Sequence, residues 1–275
     1  VTKKLLDEVL KIGKKNNLNH IEGPVGFSNM DKAGMLVEGF EELNTMITLY
    51  NFPYYSEHLK KLDYEKLAQW VEYEIKISSF EDSPEKIRRF SKLMLDRYSL
   101  KILKFKSNKD ILPYVDQMFD LLSKTYDKLQ TFVPIQPYQI KSYKEKYFKY
   151  IHPDFIKCVV DKDDNLIAFL ITMPSFSKAL KKINGKLFPF GFLRILWAQK
   201  FIKKVSLYLI GVRPDFQNKG VTAIVMNELQ KTFNKYNIKV VETNPELEEN
   251  TPIQTLWKNY EHRLHKKRAT YTKAI

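Results

Sequence analysis

The segment 211-GVRPDFQNKGV-221 carries the residues best suited to chemistry. It stands between an apolar run, 205-VSLYLI-210, and an amphipathic one, 221-VTAIVMNELQKTF-233. A strand, a polar glycine-containing turn and a helix, in that order, set main-chain amides ahead of a helix N-terminus, where the helix dipole is positive. A diphosphate is the ligand such an arrangement suits. Gly220 lets the backbone approach it without a Cβ in the way. Gln217 and Lys219 add a donor and a charge, with their main-chain amides expected to matter more. A plain surface turn would use the same residues, so the surrounding elements have to decide. Other chemistry-bearing residues are sparser. His262 and His265 are spaced i, i+3 with no third ligand nearby, which makes no zinc pattern. Cys158 lies in a strand-like run and reads as a small buried hydrophobe. Neither a G-x-S-x-G elbow nor a Walker-type phosphate loop occurs.

Stepping along the chain, apolar spacing predicts a helix over 2–17 and a short strand over 18–23. A glycine-punctuated section, 23–40, reads as turns. A helix over 51–67 and a strand over 68–77 follow. Ser83 and Pro84 predict a helix start, with Ser83 as N-cap, and the helix runs to about Tyr98. A domain boundary is placed in this connector. Then come a strand at 100–106, a helix from Asn108 to about Leu129, and a Lys-rich aromatic helix over 137–151. A hairpin occupies 155–175 around the turn 162-KDDN-165. After an insertion stand the strand at 205, the loop, the helix at 221, a strand at 238–243, a helix at 250–263 and a last strand at 267–275. The stretches 7-DEVLKIGKKNNLNHIEG-23 and 227-NELQKTFNKYNIKVVET-243 also align, each ending a strand with a Glu, Glu22 and Glu242.

Composition sets the bounds. The 275 residues are 44% hydrophobic and 13% aromatic, enough for one large or two medium globular domains. No run approaches a membrane span. A single cysteine excludes an internal disulfide framework and fits a cytoplasmic protein, with a peripheral site on the inner membrane face left open. Forty-six Lys and Arg against 32 Asp and Glu give a net charge of +14. That balance suits a polyanionic partner or a Lys-rich solvated surface. Nucleic acid is disfavoured, because no reading motif and no Arg stripe appear.

The element order, with 212-VRPDFQNKG-220 feeding the turn, resembles the GNAT superfamily of N-acetyltransferases. The family's diphosphate loop has the form Q/R-x-x-G-x-G/A, and here Gln217, Asn218, Lys219, Gly220, Val221 and Thr222 stand in those positions. Thr222 departs from the small final residue. The resemblance covers 100–275, and residues 1–77 resemble only the later half of such a domain. The chain looks most like bacterial GNAT-like proteins with 23-GPVGF-27, 37-VEGF-40 and 186-KLFPFG-191 signatures. It implies an α/β fold: a mixed, mostly antiparallel twisted sheet flanked by helices, preceded by a partial second copy. The expected division is a partial copy at 1–79, a helical connector at 80–98 and a complete acyltransferase domain at 99–275.

The resemblance further implies acetyl-CoA or another acyl-CoA as cofactor and a primary amine as acceptor. The pantetheine arm would pair with main-chain groups of Ile210 and Val212, in a cleft between two splayed strands. Asn250 would face that arm, and Asn244 would orient substrate. Aminolysis of a thioester asks for a base and an acid. Glu242, at the end of its strand, is best placed as base. The family's acidic Tyr position is held by Trp257, and Tyr260, one turn later, is the substitute. No metal is implied.

The insertion 177-SKALKKINGKLFPFGFLRILWAQKFIKK-204 interleaves aromatics with Lys. It suits a membrane surface through 186–204, cover for a long acyl chain, or packing between domains. Three readings therefore stand: an acyl-CoA-dependent N-acyltransferase; a long-chain acyl or lipid-amine N-acyltransferase at a membrane surface; and a catalytically degenerate GNAT-like binding module. Oligomeric state is not legible.

Overall fold

The computed structural model describes residues 1–27, 31–126, 133–146 and 151–275. The expected ends of the helices at 108–129 and 137–151 lie partly outside the described residues. The strands are β1 (His20–Gly23), β2 (Met35–Glu38), β3 (Glu65–Lys76), β4 (Lys101–Leu103), β5 (Ile156–Val160), β6 (Leu166–Pro174), β7 (Lys204–Val212), β8 (Val240–Glu242), β9 (Glu246–Leu247) and β10 (His262–Ala274). The helices are α1 (Thr2–Lys15), α2 (Tyr54–Lys60), α3 (Glu85–Arg97), α4 (Asn108–Tyr126), α5 (Pro137–Lys146), α6 (Ser177–Lys182), α7 (Gly191–Lys200), α8 (Thr222–Lys235) and α9 (Thr251–Trp257).

All strands join one sheet in the order β1-β10-β3-β8-β7-β6-β5-β4, with β2 also on β10 and β9 also on β3. Every pairing is antiparallel except β7 with β8. The molecule is thus an α/β protein with a mixed, mostly antiparallel sheet. Strand β6 is apolar nearly throughout because helices cover both its faces. Its alternate residues Ala168 and Leu170 pack toward α3 and α8, whereas Phe169 and Ile171 pack toward α4. Cys158 is fully buried on the α4 side, and burial pushes its thiol well above the usual range.

Strand β3, from before residue 80, is hydrogen-bonded between β8 and β10. The sheet of residues 99–275 is therefore completed by the N-terminal segment. The pairing repeats itself about the Trp70–Arg268 pair at the middle of β3 and β10. Leu247 lies opposite Trp70 as Leu36 lies opposite Arg268. Glu242 lies opposite Glu74 as Glu22 lies opposite Thr272.

Several local expectations are corrected. The helix at 51–67 shrinks to α2, because Lys61–Tyr64 form a turn with Asp63 at φ +60°, and β3 begins at Glu65. Ser83 does not cap α3; its hydroxyl donates to the Phe80 carbonyl at 2.6 Å, and Pro84 occupies the cap position. The strand expected at 100–106 is only β4. The helix at 250–263 ends at Trp257, and β10 starts as early as His262. The section read as turns holds β2, and β9 adds a second short strand.

Candidate functional site

Strands β7 and β8 run parallel and pair only at Lys204–Val240, Val205–Val241 and Ser206–Glu242. Beyond that point they part, since β9 has turned onto β3 while β7 continues to Val212. The cleft between them opens toward the 211–221 turn.

On the β7 side of the cleft, side chains cap the strand's carbonyls. Asn244 donates Nδ2 across the split to the Tyr208 carbonyl at 2.7 Å, leaving its own Oδ1 buried without a partner. The Tyr126 hydroxyl donates to the Ile210 carbonyl at 3.2 Å. The Val212 carbonyl accepts from Thr125 and from Gln217 Nε2, each at 3.2 Å. The carbonyls of Ile210 and Val212 are thus held by the protein's own side chains.

The loop itself divides into two parts. Pro214–Phe216 form a short 3-10 turn, and this turn takes up the amides of Gln217, bonded to Arg213 and Pro214, and of Lys219, bonded to Phe216. The expectation that those two amides face a ligand is corrected accordingly. Among the described residues, the amides of Asn218, Gly220, Val221 and Thr222 have no hydrogen-bond partner in the chain. No side chain caps α8, whose first residue is Thr222. Asn218 and Gly220 both lie in the left-handed region, at φ +60° and +78°. A Cβ on Gly220 would come within 3.3 Å of the Phe90 ring on α3, so glycine is favoured there by conformation and a side chain would crowd that ring. Lys219 is exposed, rests over the rings of Tyr98 and Phe216, and makes no ion pair among the described residues. Free amides, an uncapped helix start and an unpaired ammonium are groups whose chemistry suits an anion.

On the far side of the cleft stands a residue sequence reasoning missed. Glu246, on β9, accepts the Trp257 indole N–H with both carboxylate oxygens, at 3.1 and 3.0 Å. Burial pushes its carboxyl up to about 8, and the indole N–H only partly counters this. Tyr126 lies near enough to sense it. Burial first, and then the Glu246 charge, raise the Tyr126 phenol to about 12. Trp257 is fully buried. The position given to an acidic tyrosine by resemblance therefore holds a donor that orients a carboxyl. The available signal was a Glu four residues past Glu242, just beyond the strand.

Glu242 sits at the base of the split, almost wholly buried, 3.0 Å from Lys204 and 3.6 Å from Lys266. Lys266 in turn lies 2.9 Å from Glu72, which also takes Arg268 Nε at 2.7 Å; all three are fully buried. Glu74, His265 and Glu242 present ligand atoms within 4.8 Å of one another. The Lys204 ammonium already stands 2.9 Å from Glu74 and 3.0 Å from Glu242 there, so a side-chain cation fills the place a metal would take. Burial raises Glu74, but hydrogen bonds from Lys204 and Arg263 outweigh it and hold the group at about 2. Burial, reinforced by Lys266, pushes His265 below its ordinary value.

Tyr260 lies past the end of α9 rather than on it, packed against the core with its phenol pushed up to about 12 by burial. Asn250 holds the cap position of α9, yet its side chain makes no capping bond. His262 bonds the Tyr260 carbonyl and is exposed, whereas His265 is buried, so the two do not converge.

Solved structures share this fold. The glucosamine N-acetyltransferase region of a fungal multi-domain beta-N-acetylglucosaminidase superposes with a TM-score of 0.54 at 8% identity, over 99% of this chain and 28% of that one. A tandem GNAT protein from the clavulanic acid biosynthesis pathway superposes with a TM-score of 0.50 at 8% identity, over 99% and 69%. The fold is that of the GNAT acetyltransferases. In sequence, the chain is 22% identical over 269 residues to Protein YghO of Escherichia coli, covering 95% of this chain and 67% of that protein. It is 23% identical over 200 residues to the bacterial ceramide synthase of Caulobacter vibrioides, covering 72% of this chain and 51% of that protein. No protein-family model matches the chain.

Proposed function

We propose that the protein is an acyltransferase that moves an acyl group from a coenzyme A thioester to an amine. The observation that carries this reading is the anion cradle of Asn218, Gly220, Val221 and Thr222 at the head of α8, beside the unpaired Lys219. The residues fit a diphosphate: unpartnered amides, a left-handed glycine and a cation. When bound, coenzyme A supplies the activated acyl carbonyl and a thiol leaving group.

The chain's residues have distinct parts in this reading. The amides of Gly220, Val221 and Thr222 bind the diphosphate, and Lys219 adds charge at the rim. Asn244, with its unpartnered buried Oδ1, orients a donor group of a substrate in the cleft. Glu246 takes the proton from the attacking amine at a carboxylate oxygen, and Trp257 Nε1 holds that carboxylate in place. A carboxyl with a raised affinity for protons is suited to this work near neutral pH. Glu242, bound between Lys204 and Lys266, positions the base of the cleft instead.

A lipid amine or long acyl chain is favoured as the substrate class by the resemblance to a ceramide synthase, since a ceramide is an N-acylated lipid amine. Residues 1–79 are proposed as the later half of a repeat, joined through 80–98 to the domain at 99–275. The matching registers around Trp70 and Arg268 support it.

Calorimetric titration with acetyl-CoA and a long-chain acyl-CoA, followed by a thiol-release assay over an amine panel that includes a sphingoid base, tests the reading. Binding that Gly220→Val abolishes, with thiol release dependent on amine, is expected. Binding without release on any amine would assign a degenerate binding module, and no binding at all would end the proposal.

A further inference from the structure

The excursion between β6 and β7 leaves an apolar surface that the fold does not use. Helix α7 turns Ile195, Ala198 and Ile202 of its segment toward the protein, all partly buried. Its other side carries Phe192, Leu193, Leu196 and Trp197, all exposed, with Trp197 at 65%. The loop before it adds Phe188 at 82% and Phe190 at 73%. The rings are ordered in pairs: Phe188 with Phe192 at 6.4 Å and Trp197 with Phe201 at 5.0 Å. A contiguous apolar patch of this kind marks a surface meant to be covered.

Charge identifies what covers it. From Leu166 to Pro214 the chain holds no Asp and no Glu. Within the excursion stand Lys178, Lys181, Lys182, Lys186, Arg194 and Lys200, so the segment that carries the exposed rings is cationic and has no acid of its own. We propose that the α6–α7 excursion is a docking surface for an anionic lipid bilayer. Exposed rings flanked by Lys and Arg match the polar–apolar boundary of a leaflet, where aromatic side chains settle and cations meet anionic headgroups. At 10 residues, α7 is too short to cross a bilayer, so it lies in the plane of the interface. No helix among the described residues is long and apolar enough to cross a membrane. A nucleic-acid groove would not present Leu193 and Leu196 in the middle of its cationic surface. The inference rests on this surface alone and is independent of the acyl-transfer reading.

Flotation of the whole chain with vesicles tests it. With phosphatidylcholine vesicles containing phosphatidylglycerol, co-flotation is expected, falling on the order of tenfold in phosphatidylcholine alone or in high salt. Phe188→Glu with Trp197→Glu alters only exposed side chains, and a circular-dichroism melt checks that the fold persists. That double variant is expected to lose co-flotation on the order of tenfold while keeping its melt. Quenching of tryptophan emission by brominated lipid is expected in the parent and lost in Trp197→Phe. Absence of co-flotation at low salt would overturn the proposal. So would a double variant that floats like the parent, which would place the contact on another basic face. A dimer that the double variant dissociates, with no vesicle binding, would assign the surface to a second copy and equally overturn it.

Discussion

At the scale of single residues, the loop glycine and the cleft carboxyl are the positions on which function turns. Gly220 is left-handed and has Phe90 against the place of a Cβ. Gly220→Ala is expected to cost about 1–2 kcal/mol in a urea melt, because a side chain is strained in that region, and to weaken acetyl-CoA binding in calorimetry. Glu246 gives a signature in pH. Its folded carboxyl, at about 8, lies above its ordinary value of 4.5. The stability it contributes is therefore whole below about pH 4.5 and is lost as pH rises toward 8. Glu246→Gln, which resembles the protonated acid, is expected to be more stable than the parent at pH 9 and similar at pH 5. The gap should be on the order of 1–3 kcal/mol, discounted for partial exposure. In turnover the parent is expected to gain rate through pH 8, as a base must be unprotonated. The Gln variant loses that rise, with kcat down ~10²–10⁴-fold.

At the scale of elements, the paired β3 and β10 place charge where strands usually bury apolar side chains. Glu72 faces Lys266 directly across that pair, with Arg268 beside it. Glu72→Ala leaves buried Arg268 without a carboxylate and Lys266 with only the more distant Glu242, and is expected to cost about 3–5 kcal/mol, read from denaturant midpoints. At the edge, Asn51 acts in place of a neighbouring strand for Leu36: its Oδ1 accepts the Leu36 amide at 2.6 Å, and its Nδ2 donates to the Leu36 carbonyl at 3.0 Å. Asn51→Ala should cost about 1–3 kcal/mol, and its clearest readout is faster hydrogen exchange at the Leu36 amide. Neither arrangement was legible in the sequence, because both are long-range pairings between segments whose local patterns are unremarkable. The elements with strong periodicity and punctuation, among them the start of α4, the β5–β6 hairpin, β7 and α8, were legible, as was the strand-loop-helix order of the cradle. Short β2 and β9 were not, since two to four residues give no period to read. Glu246 was passed over for the same reason. It belongs to β9, and only the turn of that strand onto β3 brings its carboxyl to the indole of Trp257.

At the scale of the whole molecule, the two ends of the sheet are unequal. Helix α8 buries Val225 completely, whereas Leu5, the aligned residue of α1, is 64% exposed. Strand β8 has β7 along its outer edge, and β1 has no strand along its own among the described residues. The interleaving of β3 between β8 and β10 has a different consequence, one for how the chain comes apart. The exposed stretch around Glu81 and Asp82 is the bridge between the segments, and a cut there would leave β3 on one piece and both its neighbours on the other. Such pieces, expressed separately and mixed, are expected to recombine into a single stoichiometric particle on size exclusion, with neither one folded alone by circular dichroism. Two separately folded fragments that ignore each other would contradict this. The polypeptide would then be a split reporter supplied by nature, its halves recognising each other through a strand each lends to the other.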